Sequence, residues 1–269
     1  TISKYYAINS NNGELVWKKN NTSPFYSQIK IYKDKFFILD LNNNLICFSL
    51  KDGSKIWNFN TEKPFINPLK KLSIVIENNL VIFNNSLGDI TAVNIESGAL
   101  EWQISTHNSD DLNEIISLKT SNLIIDENKI FFSNNKNVFY SLDLNTGNIN
   151  WKQNISSSVK PAVIGDLLFT ISDNGYLFLI DKNRGNIIRI NDIFKNFKPK
   201  VKKNLAPTGF ILDANNLYVS TNFGKLLIVN IENASTKEIL KIGKGKLSRP
   251  FVKNQNLFLI KDNAIIKLN

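Results

Sequence analysis

The 269-residue chain holds one histidine, one cysteine and no methionine, so chemistry that needs converging ligands or nucleophiles has little to draw on. A structural zinc site takes four Cys or His ligands and a disulfide takes two cysteines; one chain supplies neither. His107 is the sole histidine available to a Ser-His-Asp hydrolase. It stands in Ser105-Thr-His-Asn-Ser-Asp-Asp111, which has the composition of a solvated connection. Cys47 lies in the apolar run ICFSL and reads as a small core residue, not a nucleophile. Gly243-Lys-Gly245-Lys has the composition of a phosphate loop, but it leads into a strand pattern and not a helix. No catalytic, cofactor or metal residue is expected.

Charge points to binding. Lys plus Arg number 33 against 23 Asp plus Glu, a net charge of +10. Residues 1–188 hold 18 basic and 18 acidic side chains, and residues 189–269 hold 15 and 5, so the last part supplies the whole excess. A uniformly basic nucleic-acid binder would not divide this way, and no base-reading motif accompanies the lysines, so nucleic acid is not an expected partner. The richness in Lys, Asn and Ile also suits AT-rich coding. Two long connections carry candidate contacts. Residues 103–121 include Asp110, Asp111 and Glu114. Residues 191–205 place Phe194 and Phe197 among five lysines, beginning with Lys195 and Lys198. The second pattern reads either as a solvated loop whose phenylalanines cover a sheet edge, or as a contact for an acidic surface or anionic headgroups.

The elements that position these loops come from an internal repeat. The four tryptophans, Trp17, Trp57, Trp102 and Trp151, each follow a glycine by four residues: Gly13, Gly53, Gly98 and Gly147. Four positions before each glycine stands Asn9, Ser49, Asn94 or Asp143. A fifth copy, Asp181 to Gly185 to Arg189, exchanges Trp for Arg, and a sixth, Asn230 to Ala234 to Ile239, has lost both Gly and Trp. A period of 40 to 50 residues signals a repeat architecture. Paired apolar runs such as FFILD and LICFSL surround turn residues such as Asn42-Asn43-Asn44. A further short strand follows Pro24, Pro68, Pro161, Pro207 or Pro250.

Four strands per repeat and no three-turn helix predict an all-β fold, a β-propeller of four-stranded blades. The side chain at the start of each signature is expected to cap the turn between third and fourth strands, and glycine to supply its positive φ. Trp is expected to staple one blade to the next, with a looser contact at Arg189. One propeller domain over 1–269 is expected. Its partial blade is 1–20; complete blades are 21–60, 61–105, 106–155, 156–192 and 193–243; a partial last blade is 244–269. No stretch of 18 apolar residues occurs and no charged-then-apolar leader opens the sequence. Without Met at position 1, the natural start is expected upstream of Thr1.

The phrase Asp-Leu-Asn-Thr-Gly-Asn-Ile-Asn-Trp (143–151) resembles the PQQ-type propeller repeat. The whole chain is similar to the BamB family, propeller lipoproteins of the outer-membrane β-barrel assembly machinery of Gram-negative bacteria. The decay of the Trp signature, the segment 187–195 and an end within a third strand support the likeness. The resemblance implies an eight-bladed ring, of which five complete and two partial blades are present, lipid-anchored at the periplasmic face of the outer membrane through a missing N-terminus. It implies a non-catalytic scaffold that binds the soluble domains of the central barrel-assembly protein, without a cofactor. Unfolded outer-membrane proteins or anionic headgroups are further expected partners. The family's Leu-Arg contact segment corresponds here to Glu62-Lys63, and its acidic pair to Ser117 and Lys119, with Asp110, Asp111 and Glu114 a turn upstream. A propeller sensor or adhesin module is the alternative. A quinone-dependent dehydrogenase shares the repeat, but such enzymes are longer and often carry paired cysteines, whereas Cys47 is alone.

Overall fold

A computed structural model describes residues 3–64, 70–106, 119–134 and 136–268. The alternating apolar runs form antiparallel meanders. Among the described residues there are five four-stranded sheets, one two-stranded and one three-stranded sheet. The two-stranded sheet pairs Lys4–Ile8 with Leu15–Asn20. The first full sheet runs Lys30–Tyr32, Lys35–Leu39, Asn44–Ser49, Lys55–Asn60. The second runs Ile74–Glu77, Leu80–Asn84, Asp89–Asn94, Leu100–Ser105. Ile124–Asp126, Lys129–Ser133, Phe139–Asp143 and Ile149–Gln153 make the third. The fourth runs Ala162–Ile164, Leu167–Ile171, Tyr176–Asp181, Ile187–Asp192. Pro207–Leu212, Asn216–Thr221, Lys225–Asn230 and Thr236–Lys241 form the fifth. Phe251–Lys253, Asn256–Lys261 and Ala264–Leu268 form the three-stranded sheet. Such four-stranded meanders, one per repeat, are propeller blades.

Proline opens strands as expected at Pro161, Pro207 and Pro250. After Pro24 the chain instead makes isolated bridges at Phe25 and Ser27, and the strand begins only at Lys30. Pro68 lies outside the described residues.

The chain divides into two compact units: 1–129 with 143–148, and 130–142 with 149–269. In the first unit Phe37, Leu39, Val81, Phe83 and Val93 centre an apolar core. In the second, Phe169, Phe194, Phe210, Val219 and Leu227 do the same.

The turn between third and fourth strands is built alike in each copy. The glycine amide donates to the carbonyl four residues back, as Gly147 does to Asp143 at 3.0 Å. The Asp143 carboxylate accepts from the amides of Asn145 (3.0 Å) and Thr146 (2.9 Å). Gly147 takes φ +71°, within the left-handed region. A bulge follows in every copy; at Ser141/Leu142 it re-aims the next strand.

Trp then packs onto the glycine turn of the following repeat. A Cβ added at Gly53, Gly98, Gly147 or Gly185 would stand 2.6–2.8 Å from the ring of Trp17, Trp57, Trp102 or Trp151 respectively. The indoles of Trp17, Trp102 and Trp151 donate to the carbonyls of Leu50, Leu144 and Lys182, each at 3.1 Å. The buried Trp57 indole N–H lacks a hydrogen-bond partner. Across the strand pair each Trp faces a small residue: Ala7, Cys47, Ala92 or Ser141.

Where Trp is lost, all three positions change together. Arg189 faces Leu179, and the following turn carries Ala234 at φ +55°. The guanidinium donates to the carbonyls of Ile231 (2.7 Å) and Glu232. Ile231 is the counterpart of Leu50, Leu144 and Lys182, so Arg189 keeps the hydrogen bond and gives up the ring contact.

Chemical denaturation should report these contacts. Trp102→Ala should cost about 3–5 kcal/mol. Gly147→Ala should destabilise far more in the native background than beside Trp102→Ala, with a coupling of roughly 1 kcal/mol or more; additive effects would deny the contact. Arg189→Trp alone should destabilise by about 1–3 kcal/mol through overpacking. Combined with Leu179→Ala and Ala234→Gly, it should recover that loss.

Candidate interaction surface

In an antiparallel meander, the turn joining second to third strands and the connection to the next sheet lie at one end of the blade. The glycine turns lie at the other. Side-chain oxygens cap turn amides at both ends, as Asp40 does for Asn42 (2.9 Å) and Asn44 (3.0 Å) at the connection end. At the glycine-turn end, side-chain oxygens cap amides: the amides of Arg184 and Asn183 hold the Asp181 carboxyl below the usual carboxylate range. The connection end carries the 193–206 loop and the described ends of the 103–121 connection.

In the first unit, Lys63 is exposed just past the first full sheet. Asn43, in the left-handed region at φ 61°, fixes the chain beside it. Its amide donates to the Glu62 carbonyl (2.9 Å), and the Thr61 hydroxyl donates to the Asn43 carbonyl (2.9 Å). Lys119 is also exposed. Next to it the Thr120 carbonyl accepts from the Lys70 ammonium at 3.1 Å, and the Leu123 amide donates to the Ser73 hydroxyl at 3.1 Å. The structure thus brings segments 70–73 and 119–123 together. His107, Asp110, Asp111, Glu114 and Ser117 lie outside the described residues.

In the second unit, connection 193–206 has a buried root and a charged crest. Phe194 is fully buried in the core, its ring on Gly175, where an added Cβ would stand 2.0 Å from it. It therefore presents nothing to a partner. Phe197 is half-buried and meets Phe194 edge-on at 5.8 Å. Lys195 and Lys198 are exposed. Pro199–Lys202 forms a helical turn, and Lys202 pairs with Asp192 while its ammonium lies 5.7 Å from the Tyr176 ring centre. The phenylalanines anchor the loop and the lysines crown it.

Further residues share this end. Lys225 places its ammonium 4.6 Å over the Phe197 ring. Phe223 tops the adjacent turn, 40% exposed, and Lys244 and Lys246 are exposed on the next connection. The available signal was the alternation of turns along the repeat, which assigns every loop to one end or the other.

Cys47 is fully buried opposite Trp57, and burial pushes its thiol up to about 12. Among the described residues no three His, Cys, Asp or Glu side chains are grouped to hold a metal ion, and no helix is long and apolar enough to cross a membrane.

The blades, their capped glycine turns and the Trp contacts define a β-propeller of PQQ-type repeats. The family described as outer membrane protein assembly factor BamB matches residues 3–191. The chain belongs to that family. Its fold matches the crystal structure of BamB from Moraxella catarrhalis with a TM-score of 0.82 at 17% sequence identity, over 99% of this chain and 78% of that one. No curated protein matches the chain in sequence.

The thiol gives a direct check on the core. The unfolded thiol ionises near 9 and the folded one near 12. The stability contributed by keeping Cys47 neutral should therefore be complete below pH 9 and decline as pH rises toward 12. At pH 8, a thiol reagent should label Cys47 only at the rate of unfolding; rapid labelling of the folded chain would contradict its burial.

Proposed function

We propose that the chain is a non-catalytic scaffold subunit of outer-membrane protein assembly, working in the periplasm and binding the soluble domains of the central barrel-assembly protein. The observation that carries this reading is the family match over residues 3–191, joined to the same fold over 99% of the chain. A rigid propeller holds loops at fixed separations, which suits a part whose task is to position other proteins. In this reading the partner meets the connection end of the first unit, around Lys63, Lys119 and the acidic stretch containing Asp110, Asp111, Glu114 and Ser117. A lipid anchor would be supplied by sequence ahead of Thr1, and a lipobox cysteine in the encoding gene would support it.

Affinity capture with the soluble domains of the barrel-assembly protein from the same organism should give a stable complex. Lys63→Glu with Lys119→Glu should weaken it by about tenfold or more while leaving the melting temperature unchanged, as expected for reversing two contact charges. Absence of a complex with the unaltered chain would overturn the reading.

A further inference from the structure

We propose that the connection end of the second unit is a docking surface for an anionic lipid bilayer. The proposal goes beyond the assembly-factor reading and does not depend on it.

The surface is continuous through backbone contacts. The Ile193 amide donates to the Gly175 carbonyl at 3.0 Å. Asn222 bridges to the loop before it, accepting from the Ala206 amide (2.9 Å) and donating to the Asn204 carbonyl (2.8 Å). On its other side, Ile242 donates to the Gly224 carbonyl at 2.9 Å and Leu247 to the Thr221 carbonyl at 3.1 Å. Lys261 lies against Gly243, where an added Cβ would stand 2.5 Å from its Cε. Turns and connections from the fourth sheet to the three-stranded sheet thus form one end face.

Its charge is one-sided. From Asp173 to Asp262 this end holds ten lysines and three carboxylates, and the carboxylates are already engaged. Asp173 accepts from the Ser158 amide (3.0 Å) and hydroxyl (2.7 Å), Asp192 pairs with Lys202, and Asp262 pairs with Lys261. Lys195, Lys198, Lys200, Lys203, Lys244 and Lys246 are exposed. At the glycine-turn end of the same unit Asp166, Asp181, Asp213, Glu232 and Glu238 stand against Lys182, Arg184, Lys237, Lys253 and Lys267, so that end is balanced and the excess belongs to a face and not to the unit as a whole.

The shape favours a plane over a peptide. The cleft at this end, about 480 Å³ beside Tyr176, has Asp173 on its wall and draws its amines from Lys202, already bound to Asp192, and Lys203. An acidic segment entering it would meet a carboxylate. The exposed lysines instead stand on separate loops, and long flexible ammonium donors match laterally mobile phosphate headgroups. Phe223, exposed at the turn tip next to Lys225, supplies an apolar side chain to enter the headgroup layer.

Vesicle co-sedimentation of the whole chain tests this. It should bind vesicles containing about one quarter phosphatidylglycerol and ignore pure phosphatidylcholine, with binding falling steeply as salt rises. Combined Lys195→Glu, Lys198→Glu, Lys200→Glu and Lys203→Glu should weaken binding at least about tenfold, and Lys244→Glu with Lys246→Glu should weaken it independently. Lys237→Glu with Lys253→Glu, away from this face, should leave it unchanged. Phe223→Ser should lower the binding that survives high salt. Equal loss from charge reversal at either end, or no binding by the unaltered chain, would overturn the proposal. So would capture of polyglutamate without vesicle binding, which would assign the face to an acidic protein.

Discussion

The structure depends on one close contact, an indole ring lying on a glycine turn of the next repeat. The contact imposes three conditions at once. The turn must hold a residue without a Cβ, the strand partner of the Trp must be small, and the turn must be rigid enough to receive the ring. Gly147, Ala92 and the Asp143 cap meet them for Trp102. Asp143 and Gly147 share one turn while Ala92 lies on a strand of the preceding sheet, so the contact couples positions about 50 residues apart. Arg189 shows how the arrangement relaxes. Its partner is Leu179, the next turn carries Ala234, and a guanidinium bonds carbonyls where a ring could not fit.

This accounts for Cys47 without chemistry. Its position opposite Trp57 is one that elsewhere holds Ala or Ser. A thiol there is a small side chain of the right volume, and its burial makes ionisation costly. Oxidation or metal binding would require the core to open.

Much of the fold was legible because the repeat writes the same physical demand four times. The Gly-to-Trp spacing and the alternating runs identified the turns, the strand count and the staple. The change at the fifth copy was visible as Arg189, but its link to Leu179 and Ala234 was not. Strand register and the direction of the staple decide which glycine a Trp covers, and neither is a local property of sequence. The candidate surface was less legible for a related reason. Phe194 and Phe197 look alike on a polar loop, yet one fills the core against Gly175 and the other holds Lys225 above its ring. Lys244 and Lys246 gained meaning only when the meander placed them beside the 193–206 loop.

The uneven charge follows from how the two ends are built. At the glycine-turn end, carboxylates and amides are recruited as caps, because each turn exposes backbone amides that need acceptors. Capping retains acidic residues at both ends, as Asp143 and Asp181 illustrate at this one and Asp40 at the other. At the connection end of the second unit the loops close on backbone carbonyls and on Asn222, and their few carboxylates are taken up by the Ser158 and Phe194 amides and by Lys202. Lysines added there meet few folding constraints and few fixed counter-charges. Most of the net charge of +10 then comes from one set of loops, ten lysines against three carboxylates, carried on a scaffold whose other charges are close to balanced.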